Sequence, residues 1–178
     1  MPTRAIKYPF IPKSTAHLES GQFWSIPLSQ KKYACGRVIQ MQICNGKRDP
    51  RIFLAGLMDW VGTTLPDSNA IAGKKVLEQG SVHIRTIKWN GGEVMGLRDL
   101  TLDGIEPWLF LDSEPPSRNC YLQRGFNIIG LANSDQQAKL EVFSAWGLEV
   151  IKILAKKHFS VGTTRLASGR SSIRKSDS

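Results

Sequence analysis

The sequence predicts an α+β fold that is mainly β: a small, strongly bent antiparallel barrel or sandwich, SH3-like, with a C-terminal amphipathic helix. Three observations lead to this fold class. Short apolar runs recur at roughly 10–20 residue intervals, glycine-bearing turns divide them, and the apolar period changes from strand-like to helix-like after residue 133.

The chain divides into three parts. Residues 1–18 carry prolines and few periodic apolar positions, so they are predicted to be an extended arm that lies on the domain or moves freely. Residues 19–160 have the size and composition of a single β-rich domain. Residues 161–178, rich in Ser, Gly, Thr and Arg, are predicted to be a flexible basic tail.

The domain is predicted to open with a hairpin. Residues 22–28 and 33–44 are strand-like and flank a short polar loop. In the second strand Ile39, Met41 and Ile43 alternate with polar positions, which predicts one buried side and one solvent-facing side. Gly36 interrupts that strand and is predicted to mark a bulge or a tight bend.

The remaining strands are shorter. A turn is predicted at 44–50 and an apolar third strand at 51–60. The run 81–89 is strand-like, and Asn-Gly-Gly at 90–92 predicts a hairpin turn that leads into 93–97. Two further short buried strands are predicted at 108–111 and 126–131.

After this point the pattern becomes helical. A single helix is predicted at about 135–157, with Ser134 as the N-cap and Gln137 completing a capping box. One face of this helix would be apolar, and its residues recur every three or four positions: Leu140, Phe143, Gly147, Val150, Ile151 and Leu154.

The distribution of charge and the number of cysteines indicate what the protein could bind and in which compartment it acts. The net charge is +9, and the excess of basic residues lies at the two ends, so weak nucleic-acid affinity is expected of the tails alone. No apolar run is long enough to span a bilayer, and residues 1–20 lack the continuous apolar run and cleavage site of a secretory signal, so export is not expected. Three cysteines at spacings of no zinc or redox motif favour a reducing compartment, so a cytoplasmic protein is expected.

The sequence contains no recognisable catalytic set. His17, His83 and His158 lack the spacing of metal ligands, and the nucleophile, phosphate-loop and dinucleotide motifs are missing. The expectation is therefore a protein that is not an enzyme and that uses no cofactor and no metal. It would act by binding.

The predicted binding surface is a local acidic face. Between Arg98 and Arg118 the chain carries acids and no base, and an aromatic residue lies among them. An aromatic anchor surrounded by charges can steer and hold a basic partner. The candidate partner-binding residues are Asp99, Asp103, Glu106, Trp108, Asp112 and Glu114. The alternative is that Trp108 belongs to the core and the acids only solvate loops, and core positions are also predicted for Trp24, Trp60, Trp89 and Trp146.

The opening of the domain resembles that of the immunity protein 26 family of bacterial polymorphic-toxin systems. The shared features are Ile-Pro-Leu at 26–28, a short polar turn, Tyr33, and Gly-Arg-Val at 36–38; Gln22 stands where the family usually has an acid. The Trp-Asn-Gly-Gly at 89–92 and the Trp-Leu-Phe-Leu at 108–111 lie roughly where the family has a turn and a final strand. The likeness covers about residues 19–113.

This resemblance implies a cytoplasmic antidote that binds a cognate toxin domain stoichiometrically, without turnover. No contact residue carries over, because members of the family meet different toxins. Two other functions stay open. One is a nucleic-acid-binding or RNA-cleaving barrel of the MazF/PemK type, whose Arg-Pro start of the second strand is replaced here by Gly36-Arg37-Val38. The other is an SH3-like adaptor domain.

Overall fold

The structure, a computed structural model, describes residues 6–116 and 118–160. Strands make up 40% of it and helices 18%, which confirms an α+β fold that is mainly β. The strands are β1 (Gln22–Pro27), β2 (Tyr33–Cys44), β3 (Lys47–Gly62), β4 (Val76–His83), β5 (Val94–Leu97), β6 (Leu109–Leu111), β7 (Tyr121–Arg124), β8 (Asn127–Leu131) and β9 (Ala145–Trp146). The α-helices are α1 (Arg85–Trp89), α2 (Ser134–Lys139) and α3 (Val150–Phe159), and 3-10 turns lie at Thr15–His17 and Leu100–Asp103. The predicted flexible tail lies outside the described residues.

The larger sheet has six strands in the order β5-β1-β2-β3-β4-β9. Its pairs are antiparallel except for β4 and β9, which run parallel, so the sheet is mixed. The first four strands form a meander, and β5 then returns to the far edge beside β1. Because β9 occupies the outer edge of β4, the sheet stays open there, and a closed barrel is not formed.

The predicted hairpin and third strand are confirmed, but the simple alternation in β2 is wrong. Its pairing with β3 shifts register between Ala34 and Gly36, between Val38 and Gln40, and again beyond Met41. Each bulge adds a residue to one strand and changes which face the next side chain takes. Ile39 and Met41 therefore enter different apolar clusters, and Ile43 is 58% exposed.

The predicted bulge at Gly36 has a steric reason. A Cβ atom at this glycine would lie 2.2 Å from the indole ring of Trp24, which is fully buried. The absence of a side chain at Gly36 lets the ring lie flat against the second strand. The predicted turn at 44–50 is shorter than expected, because Asn45 and Gly46 alone connect β2 to β3.

Both faces of the larger sheet are covered. The front cluster comprises Leu18, Trp24, Ile26, Ala34, Val38, Met41, Phe53, Ala55, Leu57, Val82, Ile84, Ile87, Val94, Ile151 and Ala155. The back cluster comprises Phe23, Cys35, Ile39, Leu54, Met58, Ile71 and Ile105. Neighbours in one strand, such as Leu54 and Ala55, belong to opposite clusters, as expected of strands buried on both sides.

The N-terminal arm, as far as it is described, lies on the domain. Phe10 pairs with Val94 at the edge of β5, through N–O distances of 3.1 and 2.8 Å. Leu18 is fully buried in the front cluster, and Tyr8 packs against the same cluster. The arm thus covers the β5 edge of the larger sheet, which would otherwise present unpaired backbone groups.

The strand predicted at 81–89 is wrong in its second half. β4 ends at His83, and the following residues form the single turn of helix α1. The turn places Thr86 and Ile87 in the interior and leaves Trp89 61% exposed, so Trp89 is not a core residue. Alternating apolar residues over so short a run fit one helical turn as well as a strand. Asn90 to Gly92 therefore link a helix to β5 and do not form a hairpin turn.

The single C-terminal helix is also wrong. Asn133, and not Ser134, caps α2, with Gln136 returning the capping-box hydrogen bond. Between α2 and α3 the chain is extended: Val142 bridges to Leu111 of β6, and β9 pairs with β4. Pairing with two open strand edges satisfies backbone groups that a continuous helix would have left to solvent.

The smaller sheet is antiparallel, in the order β6-β7-β8. Its central strand β7 was not predicted from the sequence, because its polar composition does not distinguish it from a loop. The strand predicted at 126–131 is confirmed as β8, but it is not buried: Ile128, Ile129 and Leu131 are each more than half exposed.

Candidate functional site

A groove of about 800 Å³ lies between the edge of β4 and the smaller sheet. Three stretches of chain line it together with Arg124: residues 75–78, residues 103–110 and residues 139–141. The groove therefore includes three of the six residues predicted for partner binding, namely Asp103, Glu106 and Trp108.

Residues 106–108, the Trp108 rim, are held by one buried side chain. Gln79 of β4 donates from Nε2 to the carbonyl oxygen of Glu106 at 2.8 Å and accepts at Oε1 from the backbone N–H of Trp108 at 3.0 Å. Because Gln79 is only 4% exposed, these bonds are shielded from water. On the other side, Gly125 N–H donates to the carbonyl oxygen of Trp108 at 3.0 Å. The rim is thus fixed from two directions.

Below the rim lies a chain of aromatic rings. Trp108 is 37% exposed, and its ring centroid is 6.4 Å from that of the buried Phe110. Phe110 meets Phe143 edge to face at 5.2 Å, and Phe143 meets Phe126 in the same way at 5.5 Å. Such edge-to-face contacts favour a defined ring geometry. Trp108 therefore belongs partly to the core and partly to the surface.

The charges around the groove are mixed. Glu106 is an exposed side chain whose carboxylate lies 3.8 Å from the guanidinium of Arg124. Lys75, Lys139 and Arg124 line the same groove as Glu78, Glu106 and Glu141. Glu106, which has no basic neighbour along its stretch of chain, thus lies near Arg124 in the fold. The purely acidic face that the sequence predicts is corrected to a groove of both signs.

Asp103 has a different position from the other predicted residues. Its side chain is fully buried, and its carboxylate accepts from Arg98 Nε at 2.9 Å and from Arg37 Nη2 at 3.3 Å. Burial opposes ionisation of this carboxyl group, but hydrogen bonds from Arg98 and the Gly73 N–H, with the two guanidinium charges, outweigh it and lower its pKa. Asp103 is therefore a member of a buried ion-pair cluster and does not lie on an exposed acidic face.

Arg37 is the centre of that cluster. Its side chain is fully buried, and Nε donates to the Gly21 carbonyl oxygen at 3.1 Å while Nη2 donates to the Arg98 carbonyl oxygen. Burial lowers the pKa of Arg37, and the charge of Asp103 offsets part of that shift. These bonds join the start of β1, the end of β5 and the Leu100–Asp103 turn. The cluster is a structural brace beneath one end of the groove.

The remaining predicted residues are exposed but lie elsewhere. Asp99 caps the Leu100–Asp103 turn, and hydrogen bonds from the backbone and side chain of Thr101 lower its pKa. Asp112 accepts from the backbone N–H of Tyr121 at 2.7 Å, in the loop between β6 and β7. Glu114 is exposed in the same loop. None of these three side chains lines the groove.

Side chains that could react with a substrate or bind a metal lie apart from one another. Burial raises the pKa of the Cys35 thiol to about 12, which keeps it protonated at neutral pH. Burial, with Arg85 and Arg51 nearby, lowers the pKa of His83, whose Nδ1 accepts from the Arg85 N–H. In residues 6–116 and 118–160, no three His, Cys, Asp or Glu side chains are grouped so that they could hold a metal ion. No helix within the described chain is both long enough and apolar enough to cross a membrane.

Two residues important for this site, Gln79 and Arg124, are missing from the sequence-based candidates. Gln79 lies before residue 81, outside every predicted strand, and its role depends on a segment 27 positions away in the chain. Arg124 follows the acidic stretch and lies in the unpredicted strand β7. A glutamine inside a strand facing apolar neighbours is the one signal that could have marked Gln79, because buried amides need partners.

The chain matches no protein-family model, no curated protein and no solved structure.

Proposed function

We propose that this chain is a non-catalytic immunity protein that acts in the bacterial cytoplasm, where it binds a cognate toxin domain at the groove and blocks it. The observation that carries the proposal is the Trp108 rim: a partly exposed tryptophan, fixed by buried Gln79 and set among charges of both signs. Tryptophan and arginine are the residues that most often dominate binding energy at protein interfaces.

Preorganisation favours a binding role for this groove. Backbone bonds on both sides hold the rim, so little conformational entropy remains to be lost when a partner docks. The neighbouring charges, Glu106 and Arg124 among them, can orient a partner of complementary potential. Affinity would then depend on Trp108, and specificity on the surrounding charges.

The resemblance to the immunity protein 26 family also supports an immunity function, because the shared residues build the fold. The glycine and arginine of the shared Gly-Arg-Val motif have structural roles: Gly36 admits the ring of Trp24, and Arg37 braces Gly21 against Arg98 and Asp103. A motif that builds the scaffold can be shared by proteins whose binding surfaces differ.

The finer fold that we propose is SH3-like. Strands β1 to β4 form a meander, a single helical turn precedes β5, and β5 pairs back onto β1, which is the strand order of a small SH3-like barrel opened beside β4. Such scaffolds host many functions, so the fold alone does not select immunity over an adaptor role.

Co-expression tests the proposal. The probe is the C-terminal domain of a large secreted protein encoded directly beside this chain, expressed in bacteria with and without it. We expect the chain to restore growth and to co-purify with that domain. Trp108→Ala should weaken the complex about 30-fold, the equivalent of about 2 kcal/mol at an interface anchor.

Trp89→Ala is the matched control, because Trp89 is an exposed tryptophan outside the groove. It should leave the toxin affinity unchanged, and thermal unfolding should show that both variants are folded. Equal killing with and without the chain would reject the immunity function. Degradation of RNA by the purified chain alone would favour the MazF/PemK-type alternative.

A further inference from the structure

A second groove lies beside the end of α1 and along α3, and it shares no lining residue with the groove at the Trp108 rim. One part of it, of about 220 Å³, is lined by Trp89, Asn90, Glu149, Lys152, Ile153 and Lys156. A second part, of about 360 Å³, lies between the β1–β2 hairpin and the end of α3, and it shares Lys156 with the first. Lys156 lines both parts, and we name the two parts together the Trp89 groove.

The apolar component of this groove is exposed. Trp89 is 61% exposed and Ile153 is 57% exposed, although both lie on helices that are otherwise packed against the front cluster. The indole Nε1 donates to Glu149 at 3.3 Å, so the ring is tied at its edge. A tryptophan left this open to water offers a flat surface for stacking.

The ring is also held in place through its neighbour in the chain. The buried side chain of Asn90 donates from Nδ2 to the carbonyl oxygens of Thr86 at 2.8 Å and Leu148 at 2.7 Å. These bonds join the end of α1 to the residues just before α3. Trp89 is therefore fixed relative to the lysines on α3.

The charge of the groove is basic. Among the described residues three lysines line it, Lys32, Lys152 and Lys156, against one carboxylate, that of Glu149, which accepts from the indole of Trp89 and keeps its negative charge. Basic and acidic residues balance over 33–155 as a whole, and this local excess does not appear in that total.

We propose that the Trp89 groove binds single-stranded nucleic acid, with a base stacked on Trp89 and the phosphates following Lys152, Lys156 and Lys32. An aromatic platform combined with a cationic track is the arrangement by which proteins hold single strands without reading sequence. The charge of the groove is complementary to a phosphate backbone. This function is separate from the immunity function, because it uses different residues.

The test measures binding of a short fluorescein-labelled oligouridylate to the full chain by anisotropy at several salt concentrations. The reference protein carries glutamine in place of the basic residues of segments 1–5 and 161–178, which removes binding by these two segments: Arg4, Arg165, Arg170, Arg174 and Lys175. We expect this reference to retain salt-dependent binding. Trp89→Ala in the same background should lower the affinity about fivefold or more, the effect of losing one stacked base, and Trp89→Phe should keep most of it.

The lysines are tested by the double variant Lys152→Gln and Lys156→Gln. It should weaken binding and reduce the slope of log affinity against log salt by about 1.4, because each lost phosphate contact changes that slope by about 0.7 on a single strand. Lys47→Gln with Lys74→Gln is the matched control, since it removes two positive charges at exposed positions outside the groove. This control should leave most of the affinity.

Three results would overturn the proposal. No binding by the reference protein would place all the affinity in the two terminal segments. Binding by Trp89→Ala as tight as that of the reference would exclude stacking. Displacement of the oligonucleotide by polyglutamate, as complete as that by unlabelled oligouridylate, would identify the surface as one for acidic protein. None of these results bears on toxin binding through Trp108.

Discussion

The two sheets of this protein differ in how far their strands are buried. The larger sheet is buried on both faces, and its central strand β2 contributes to the front and the back cluster alike. The smaller sheet leaves its edge strand β8 open, with Ile128, Ile129 and Leu131 largely exposed. Stability is therefore concentrated in the larger sheet, while the groove is built where the smaller sheet meets it.

Two acids of one short segment also differ in burial. Asp103 turns inward to Arg37 and Arg98 and braces the larger sheet, whereas Glu106 stays in solvent on the Trp108 rim. Two residues of the same charge class, three positions apart, thus have a structural and a surface role. Burial of the charge decides which role each has.

Substitution of these two acids should give the largest difference. Asp103→Asn removes the negative charge opposite buried Arg37, and leaving a buried charge unpaired costs about 3–5 kcal/mol. Glu106→Gln removes an exposed partner of Arg124 and should cost less than about 0.5 kcal/mol. Urea unfolding measures both free energies, and an equal effect of the two variants would contradict the assigned roles.

Glycine substitutions should distinguish the two sheets with an intermediate effect. Alanine at Gly36 would press its Cβ into the ring of Trp24, and such overpacking costs about 1–3 kcal/mol. Alanine at Gly130 of β8 meets no atom of the described residues within 4 Å and should change stability by less than about 0.5 kcal/mol. Thermal unfolding of both variants measures the difference, and a stable Gly36→Ala protein would show that Trp24 can move aside.

The smallest expected effect is a dependence on pH. The pKa of Asp103 is lower in the folded protein than in the unfolded chain, so its contribution to stability is present above about pH 4 and is lost as the pH falls through the lowered value. The stability difference between the wild type and Asp103→Asn should therefore stay nearly constant from about pH 7 to about pH 4 and begin to shrink as the pH falls further. Urea midpoints of the two proteins across this range measure it. A difference that grows on acidification would contradict the sign.

Much of the larger sheet could be predicted from the sequence, because its signals are local. The loop at 29–32, the strand at 33–44 and the apolar third strand follow from turn chemistry and apolar runs within a few residues. Trp108 could be identified as a candidate for the site because it lies among acids along the chain, which is also a local signal. The predictions that are wrong concern short or polar segments, such as α1 and β7, where period and composition do not distinguish the alternatives.

The composition and apolar pattern by themselves determined that this is a mainly β chain with helices toward its C-terminus, because burial of apolar side chains dominates folding. Only the tertiary structure decided which charges are buried and which are exposed. Asp103 meets Arg37 across 66 positions of sequence, and Gln79 holds a rim 27 positions away. Partners so distant are brought together by packing of the strands, and the spacing of residues along the chain carries no record of that packing.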